Sequence, residues 1–246
     1  MIVTEHFVYI HTSRTGGTFL NKLMLEHVPG AQMIQYHGHL RDLPSEYSQL
    51  PVIGFVRNPW DWYVSMFFDY RRKQQYVFQI IAGGGAPGFE AIVSRFLRLG
   101  DNSVPSKRLL DQLIKAAPTH INIQTRARRH IPGLRSEHFE NFPEGHGYYS
   151  WLFQLMYESE NSQRIHIGRF ENLREEVLRL LEETGTPIDN GITEYLKESG
   201  ALNPSPRPKS YAGGYTAQLE QLLAEKENYL IDRFGYNFVD DSSKSG

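Results

Sequence analysis

A short segment near the N-terminus carries residue types that suit the binding of an anion. Ser13-Arg-Thr-Gly-Gly-Thr18 lies between a β-prone run and a segment with helical spacing of apolar residues. A helix that starts after such a loop directs unpaired backbone N–H groups at a ligand, and its dipole favours negative charge there. Arg14 adds a full positive charge, and two threonines add hydroxyl donors. The segment predicts a phosphate-binding loop formed by Arg14, Thr15, Gly16, Gly17 and Thr18.

The same segment has two competing interpretations. One is a glycine-containing connection between a strand and a helix that binds no ligand. The other is a Walker A loop for a nucleoside triphosphate. It is disfavoured because the chain lacks the G-x-x-x-x-G-K-[ST] pattern, whose lysine contacts phosphates and whose hydroxyl holds magnesium. Support for a phosphate loop of another type must come from elsewhere in the chain.

A second basic position follows the apolar run at residues 51–56. Arg57 stands at the carboxyl end of this predicted buried strand, where open α/β sheets bind their ligands. Asn58 and Pro59 predict a helix start, with Asn58 as the N-cap and Pro59 as the first helical residue. Ser65 lies eight positions after Arg57 on that helix. Two helix starts with nearby basic side chains could hold the two ends of a nucleotide that carries several phosphates. The alternative is that Arg57 caps the sheet and Ser65 packs on its helix.

The elements that would position these residues alternate along the chain. Strands are predicted over residues 7–10, 31–36, 51–57 and 164–170, and helices over 17–27, 60–75, 89–99, 106–117, 148–157, 171–184, 192–199 and 216–234. The strands are too apolar to face water on one side. The predicted fold class is therefore α/β, with three layers and a mainly parallel central sheet flanked by helices.

Composition narrows the function classes. The 246 residues are 40% hydrophobic and 22% charged, and the formal net charge of −2 gives no reason to expect nucleic acid or an acidic membrane as partner. The absence of cysteine excludes disulfides, thiolate metal sites and cysteine nucleophiles. Because neither a signal peptide nor a membrane span is recognisable, we expect a soluble cytoplasmic protein. The oligomeric state cannot be predicted.

We expect residues 1–239 to form a single domain and residues 240–246 to be a disordered tail. The glycine-rich stretch 82–88 is either a mobile lid or a simple loop, so the function of residues 76–88 is left open.

Together these segments resemble the sulfotransferases that use 3′-phosphoadenosine 5′-phosphosulfate (PAPS). The loop through Leu20 is similar to the family's 5′-phosphosulfate loop, and Phe55-Val-Arg-Asn-Pro-Trp-Asp-Trp-Tyr-Val-Ser65 matches its 3′-phosphate element. Gly168-Arg-Phe-Glu-Asn-Leu173 looks like the strand end near the adenine, and residues 211–238 resemble the C-terminal part of bacterial and Golgi-type members. The resemblance implies the sulfotransferase variant of the P-loop nucleotide-hydrolase fold. Residues 76–163 match poorly.

The resemblance implies transfer of a sulfuryl group from PAPS to a hydroxyl of a small-molecule, lipid or carbohydrate acceptor, with PAP as product and no metal. The implied cofactor-binding residues are Arg14, Thr15, Gly16, Gly17, Thr18, Phe19, Arg57, Ser65, Phe170, Arg207 and Lys209. Two positions depart from the family pattern. Arg14 stands where lysine is usual and cannot donate a proton at neutral pH. Gly17 replaces a hydroxyl residue, which removes one donor.

An acceptor hydroxyl requires a base, and histidine titrates in the suitable range. His37-Gly-His39 resembles the His-Gly-His element of the uronosyl 2-O-sulfotransferase-like branch, in which a histidine is the base. We expect His39 to be the base, with His37 as second choice or as the residue that orients it. His11 and Glu171 are the alternatives. The competing functions are a P-loop-type kinase and a PAP(S)-binding protein without catalysis.

Overall fold

The computed structural model describes residues 1–120, 133–157, 164–200 and 211–239. In these ranges the strands are β1 Ile2–Val3, β2 Val8–Tyr9, β3 Gln32–Met33, β4 Val52–Val56 and β5 Ile165–Arg169. The α-helices are α1 Gly17–His27, α2 Pro59–Arg72, α3 Tyr76–Ala82, α4 Phe89–Leu97, α5 Val104–Ala116, α6 Ser136–Glu140, α7 Tyr148–Tyr157, α8 Leu173–Glu183, α9 Asn190–Glu198, α10 Ala217–Lys226 and α11 Asn228–Phe234.

The chain divides into two compact units, each assembled from separate segments. The first contains Met1–Arg57, Asn122–Gly133 and Phe153–Pro204; the second contains Asn58–Ile121, Leu134–Leu152 and Ser205–Gly246. All five strands belong to the first unit. The expectation of one domain over residues 1–239 stays a prediction, and the expected tail at 240–246 lies outside the described residues.

The sheet has the strand order β3-β1-β2-β4-β5. Strands β2, β4 and β5 run parallel, with Val8 opposite Val52 and Ile53 opposite His166. Strand β1 pairs antiparallel with both β2 and β3. The predicted α/β class is confirmed, and the antiparallel edge is the added detail. Strand β1 was not predicted as a separate element because two residues carry no periodicity.

Helices α1, α8 and α9 cover one face of the sheet, and Tyr157 of α7 packs against the other. Successive residues of a strand point to opposite faces, so Ile53 and Phe55 share one face and Gly54 points to the other. On the first face these side chains join a buried apolar cluster with α1, α8 and α9. On the second face, a Cβ added to Gly54 would lie 2.2 Å from the hydroxyl oxygen of Tyr157. The missing side chain at Gly54 thus makes room for Tyr157.

The second unit is built from helices. As predicted, Asn58 caps α2: its side chain accepts a hydrogen bond from the backbone N–H of Trp60. The helix predicted over 216–234 is instead two helices, α10 and α11, with a break at Glu227. The buried Glu227 carboxylate accepts hydrogen bonds from the backbone N–H groups of Tyr149 and Ser150 at the start of α7. Breaking the helix lets this side chain cap another one.

Two shorter helices were not predicted. Helix α3 occupies Tyr76–Ala82, so the first half of the stretch considered as a lid is helical, and α6 is five residues long. Both are too short for a clear 3.6-residue pattern. Within the described ranges no helix is long and apolar enough to cross a membrane.

Candidate functional site

The predicted phosphate-binding loop connects β2 to α1, as expected. Past the end of β2, Ile10 still donates a backbone hydrogen bond to Ile53 on β4, at 3.0 Å. Arg14 and Gly16 then adopt left-handed backbone conformations, with φ of 68° and 80°. Gly16 is the N-cap of α1, and a Cβ there would lie 2.9 Å from Leu173 Cδ2. Glycine at this position therefore satisfies both the backbone conformation and the close packing.

Hydrogen bonds between the hydroxyl groups of Tyr157, Thr12 and Thr15 and nearby backbone carbonyls hold the loop in place. The Tyr157 hydroxyl donates to the carbonyl of Ile10 at 3.0 Å, and it lies 2.6 Å from Thr12 Oγ1. Because the single phenolic proton goes to Ile10, Thr12 donates to Tyr157. Burial raises the pKa of Tyr157 above its usual range, so the phenol stays a donor. Thr15 Oγ1 donates to the carbonyl of Thr12 at 2.9 Å, which directs its proton into the loop.

Arg57 reaches the loop from the end of β4. Its Nη1 donates to the backbone carbonyl of Arg14 at 3.0 Å, and its guanidinium carbon lies 4.3 Å from the ring centroid of Phe170. Phe170 also borders the loop, since a Cβ on Gly16 would lie 3.2 Å from its ring. The Arg57 side chain is buried. The structure thus brings together Arg14, Gly16, Arg57 and Phe170.

Two histidines lie against each other beside the loop. The ring centroids of His11 and His37 are 4.2 Å apart, and His37 Nδ1 lies 2.9 Å from the backbone carbonyl oxygen of His11. A carbonyl only accepts, so His37 Nδ1 carries the proton of this hydrogen bond. His37 also has a positive φ of 53°. Backbone strain of this kind concentrates at functional sites.

His39 is fully buried beside Gly133, where an added Cβ would lie 3.1 Å from its Nε2. The sequence ranked His39 above His37 as base. The hydrogen bond and the ring contact with His11 connect His37 to the segment that leads into the loop. We therefore consider His37 before His39 as the candidate base.

The other predicted site residues lie in different environments. Phe19 is buried in the apolar cluster with its ring centroid 5.0 Å from that of Tyr195, whereas Thr18 is exposed at the start of α1. Ser65 is buried on α2, in the second unit. Glu171 is exposed in the short 3-10 helix that follows β5. Arg207 and Lys209 lie outside the described residues.

Sequence reasoning missed Asn21 and Tyr157 as parts of the site. Asn21 is buried on α1, and its Nδ2 lies 3.2 Å from His11 Nδ1. A buried amide four positions after Gly17, on the helix face that carries Leu20 and Met24, signals a polar partner, because a buried polar group must be paired. Tyr157 gave no comparable signal, since an aromatic helix is most simply part of a core.

No group of three or more His, Cys, Asp or Glu side chains is arranged to hold a metal ion within residues 1–120, 133–157, 164–200 and 211–239. The basic groups and backbone N–H groups around the loop instead suit an anion.

The fold is similar to that of a mouse sulfotransferase. The solved structure is SULT7A1 complexed with PAP, with 13% sequence identity and a TM-score of 0.49, and the match covers 90% of this chain and 84% of the mouse chain. No protein-family model and no curated protein matches the sequence. At this identity and TM-score, the activity has to be argued from the site itself.

Proposed function

We propose that the protein is a PAPS-dependent sulfotransferase that acts on a hydroxyl group of a small-molecule, lipid or carbohydrate acceptor. The observation that carries the proposal is the attachment of the buried Arg57 guanidinium to the loop that opens α1, through Arg14 O. A cationic side chain, a helix N-terminus and a pair of histidines therefore lie at the same loop. The basic side chain and the helix N-terminus suit an anionic donor, and a histidine suits the removal of a proton from the acceptor hydroxyl.

The residues around the loop fit the 5′ end of such a donor. The backbone N–H groups of Gly17, Thr18 and Phe19 come before the first hydrogen bond of the helix, which Leu20 donates to Gly16. The side-chain space at positions 16 and 17 is taken by Leu173 and His11, so the proposed contacts of the anion are with the backbone N–H groups at the start of α1. Arg14 and Arg57 supply positive charge, and Ser65 with the start of α2 remains the proposed site for the 3′-phosphate. Phe170 is the proposed aromatic neighbour of the adenine.

PAPS supplies the sulfuryl group and would leave as PAP. In the transfer, a bond forms between the acceptor oxygen and sulfur while the bond from sulfur to the 5′-phosphate oxygen breaks. Arg14 and the helix N–H groups offset the negative charge that accumulates on the leaving oxygen. The neutral His37 ring carries its proton on Nδ1, which faces the backbone carbonyl of His11, and its Nε2 is the proposed acceptor of the substrate's proton. His39 remains the alternative base.

Sulfuryl transfer from radiolabelled PAPS to a panel of phenols, alkyl alcohols and saccharides tests this function. We expect His37→Ala to lose at least about 100-fold in turnover, the usual scale for a general base. His166→Ala, which changes a partly exposed histidine on β5 paired with Glu183, is the matched control and should retain turnover. If His39→Ala alone abolishes turnover, His39 is the base instead. PAP binding without turnover of any acceptor would favour the non-catalytic alternative.

A further inference from the structure

His11 and His37, whose tilted rings lie against each other, make hydrogen bonds to different kinds of partner, and these partners define where each ring carries its proton. His37 Nδ1 faces the backbone carbonyl of His11 at 2.9 Å, so the neutral His37 ring carries its proton on Nδ1. His11 Nδ1 faces the amide nitrogen of Asn21 at 3.2 Å. An amide nitrogen only donates, so His11 Nδ1 accepts, and the neutral His11 ring carries its proton on Nε2.

The Nε2 atom of His11 lies at the start of α1. A Cβ added to Gly17 would come within 1.6 Å of this atom and within 1.9 Å of the neighbouring ring carbon. The imidazole thus fills the space that any side chain at position 17 would need. His11 is also buried, so its ring is held in a defined position beside the helix N-terminus.

We propose that His11 is an anion-binding residue of this loop, and that His11 and His37 are held in opposite tautomers for different tasks. His11 presents an Nε2–H donor to the anion at the start of α1, and thereby replaces the hydroxyl donor that Gly17 lacks. His37 presents a proton-free Nε2 to the acceptor. Asn21 is the positioning residue that sets the tautomer of His11. The ligand in this inference rests on the proposed function.

The tautomers can be measured without any ligand or activity. Long-range proton–nitrogen NMR correlation of imidazole-labelled protein separates the two neutral forms, and His11→Gln and His37→Gln variants assign the signals. We expect His11 as the Nε2–H form and His37 as the Nδ1–H form. Asn21→Asp turns the amide donor into an acceptor and should convert His11 to a ring with a proton on Nδ1. A wild-type His11 ring protonated on Nδ1 alone, or an unchanged ring in Asn21→Asp, overturns the proposed role of Asn21.

A rescue experiment tests the donor role of His11 in binding. Loss of one hydrogen bond to a charged ligand should weaken PAP binding roughly 10- to 100-fold in His11→Ala. Gly17→Ser alone should also weaken binding, because its side chain collides with the imidazole. The double variant, in which the serine hydroxyl takes the vacated space, should regain at least about tenfold over His11→Ala. A double variant no better than His11→Ala overturns the donor role.

The two experiments separate this inference from the function on which it rests. If the wild-type protein fails to bind PAP, the sulfotransferase proposal and the donor role of His11 fall together. The NMR result still decides independently whether opposite tautomers exist. His27→Ala, which alters a histidine at the other end of α1 whose ring contacts Tyr195, is the control for general damage to the helix and should leave PAP binding unchanged.

Discussion

Arg57 Nη1 donates a hydrogen bond to the backbone carbonyl of Arg14 at 3.0 Å, which fastens a side chain from the end of β4 to the loop that follows β2. The same guanidinium lies over the ring of Phe170 at the end of β5. The Arg57 side chain therefore connects residues that follow the carboxyl ends of the three parallel strands β2, β4 and β5. This is the edge at which open α/β sheets place ligands.

Replacement of Arg57 by lysine should weaken PAP binding roughly 10- to 100-fold, although the charge is kept. A lysine has no planar fork, so it cannot both bond to Arg14 O and stack on Phe170. Titration calorimetry measures the change, and Arg179→Lys is the control because Arg179 makes exposed ion pairs with Glu176 and Glu183 on α8. Wild-type affinity in Arg57→Lys would contradict the assigned role.

Arg14 offers a test that separates charge from backbone conformation. Its φ of 68° costs a non-glycine residue about 1 kcal/mol, so Arg14→Gly should fold with stability within about 1 kcal/mol of wild type. The glycine variant should nevertheless lose most turnover, whereas Arg14→Lys should retain it within about tenfold if charge on the leaving oxygen is the task. A large loss in Arg14→Lys would mean that the geometry of the guanidinium is required.

Two tyrosine-to-phenylalanine changes should differ in their effect on stability. Tyr157→Phe leaves the buried groups of Thr12 and Ile10 without their partner and should lower the free energy of unfolding by about 1–3 kcal/mol. The Tyr9 hydroxyl is buried and makes no hydrogen bond within the described part of the chain, so Tyr9→Phe should be neutral or slightly stabilising. Urea unfolding of both variants measures this. Equal losses in the free energy of unfolding of the two variants would contradict a stabilising role for the hydrogen bonds of Tyr157.

The buried Glu227 predicts a specific pH dependence of stability. Burial raises its pKa from 4.5 to about 7, although Ser150, Tyr63 and Tyr149 donate hydrogen bonds that lower it. The folded state therefore holds the proton more tightly than the unfolded chain. The stability from this group is fully present below about pH 4.5 and is lost as the pH rises through 7, by up to about 3 kcal/mol.

Glu227→Gln, which imitates the protonated acid, should remove this decline. The measurement is the difference in free energy of unfolding between wild type and variant at pH 5 and at pH 8. Lys226, the chain neighbour of Glu227, forms an ion pair with Asp101 at 2.7 Å. A wild-type advantage over the variant that grows between pH 5 and pH 8 would contradict the raised pKa.

The sequence predicted those elements whose signals are local. The bounds of α1 follow from the glycines before it and the spacing of Phe19, Leu20 and Leu23, and Asn58 was recognised as an N-cap from its position before Pro59. The break at Glu227 was missed because it depends on a tertiary hydrogen bond to α7, which no local pattern encodes.

The candidate site was predicted in its parts, but the contacts between those parts were not. Arg14, Arg57 and Phe170 were each named from residue type and position at a strand end. Their contacts through one carbonyl and one ring depend on how the strands pair. The ranking of His39 over His37 relied on the motif alone, because the hydrogen bond from His37 to the main chain at position 11 joins residues 26 positions apart.

The central claim is that this loop binds the donor nucleotide of sulfuryl transfer, and paired calorimetric titrations of the wild-type protein test it most directly. One titration uses PAP without metal, and the other uses ATP with magnesium. We predict saturable PAP binding that is weakened in Arg57→Lys, and much weaker binding of ATP with magnesium. Tight binding of ATP with magnesium together with no binding of PAP would contradict the claim and favour the kinase alternative.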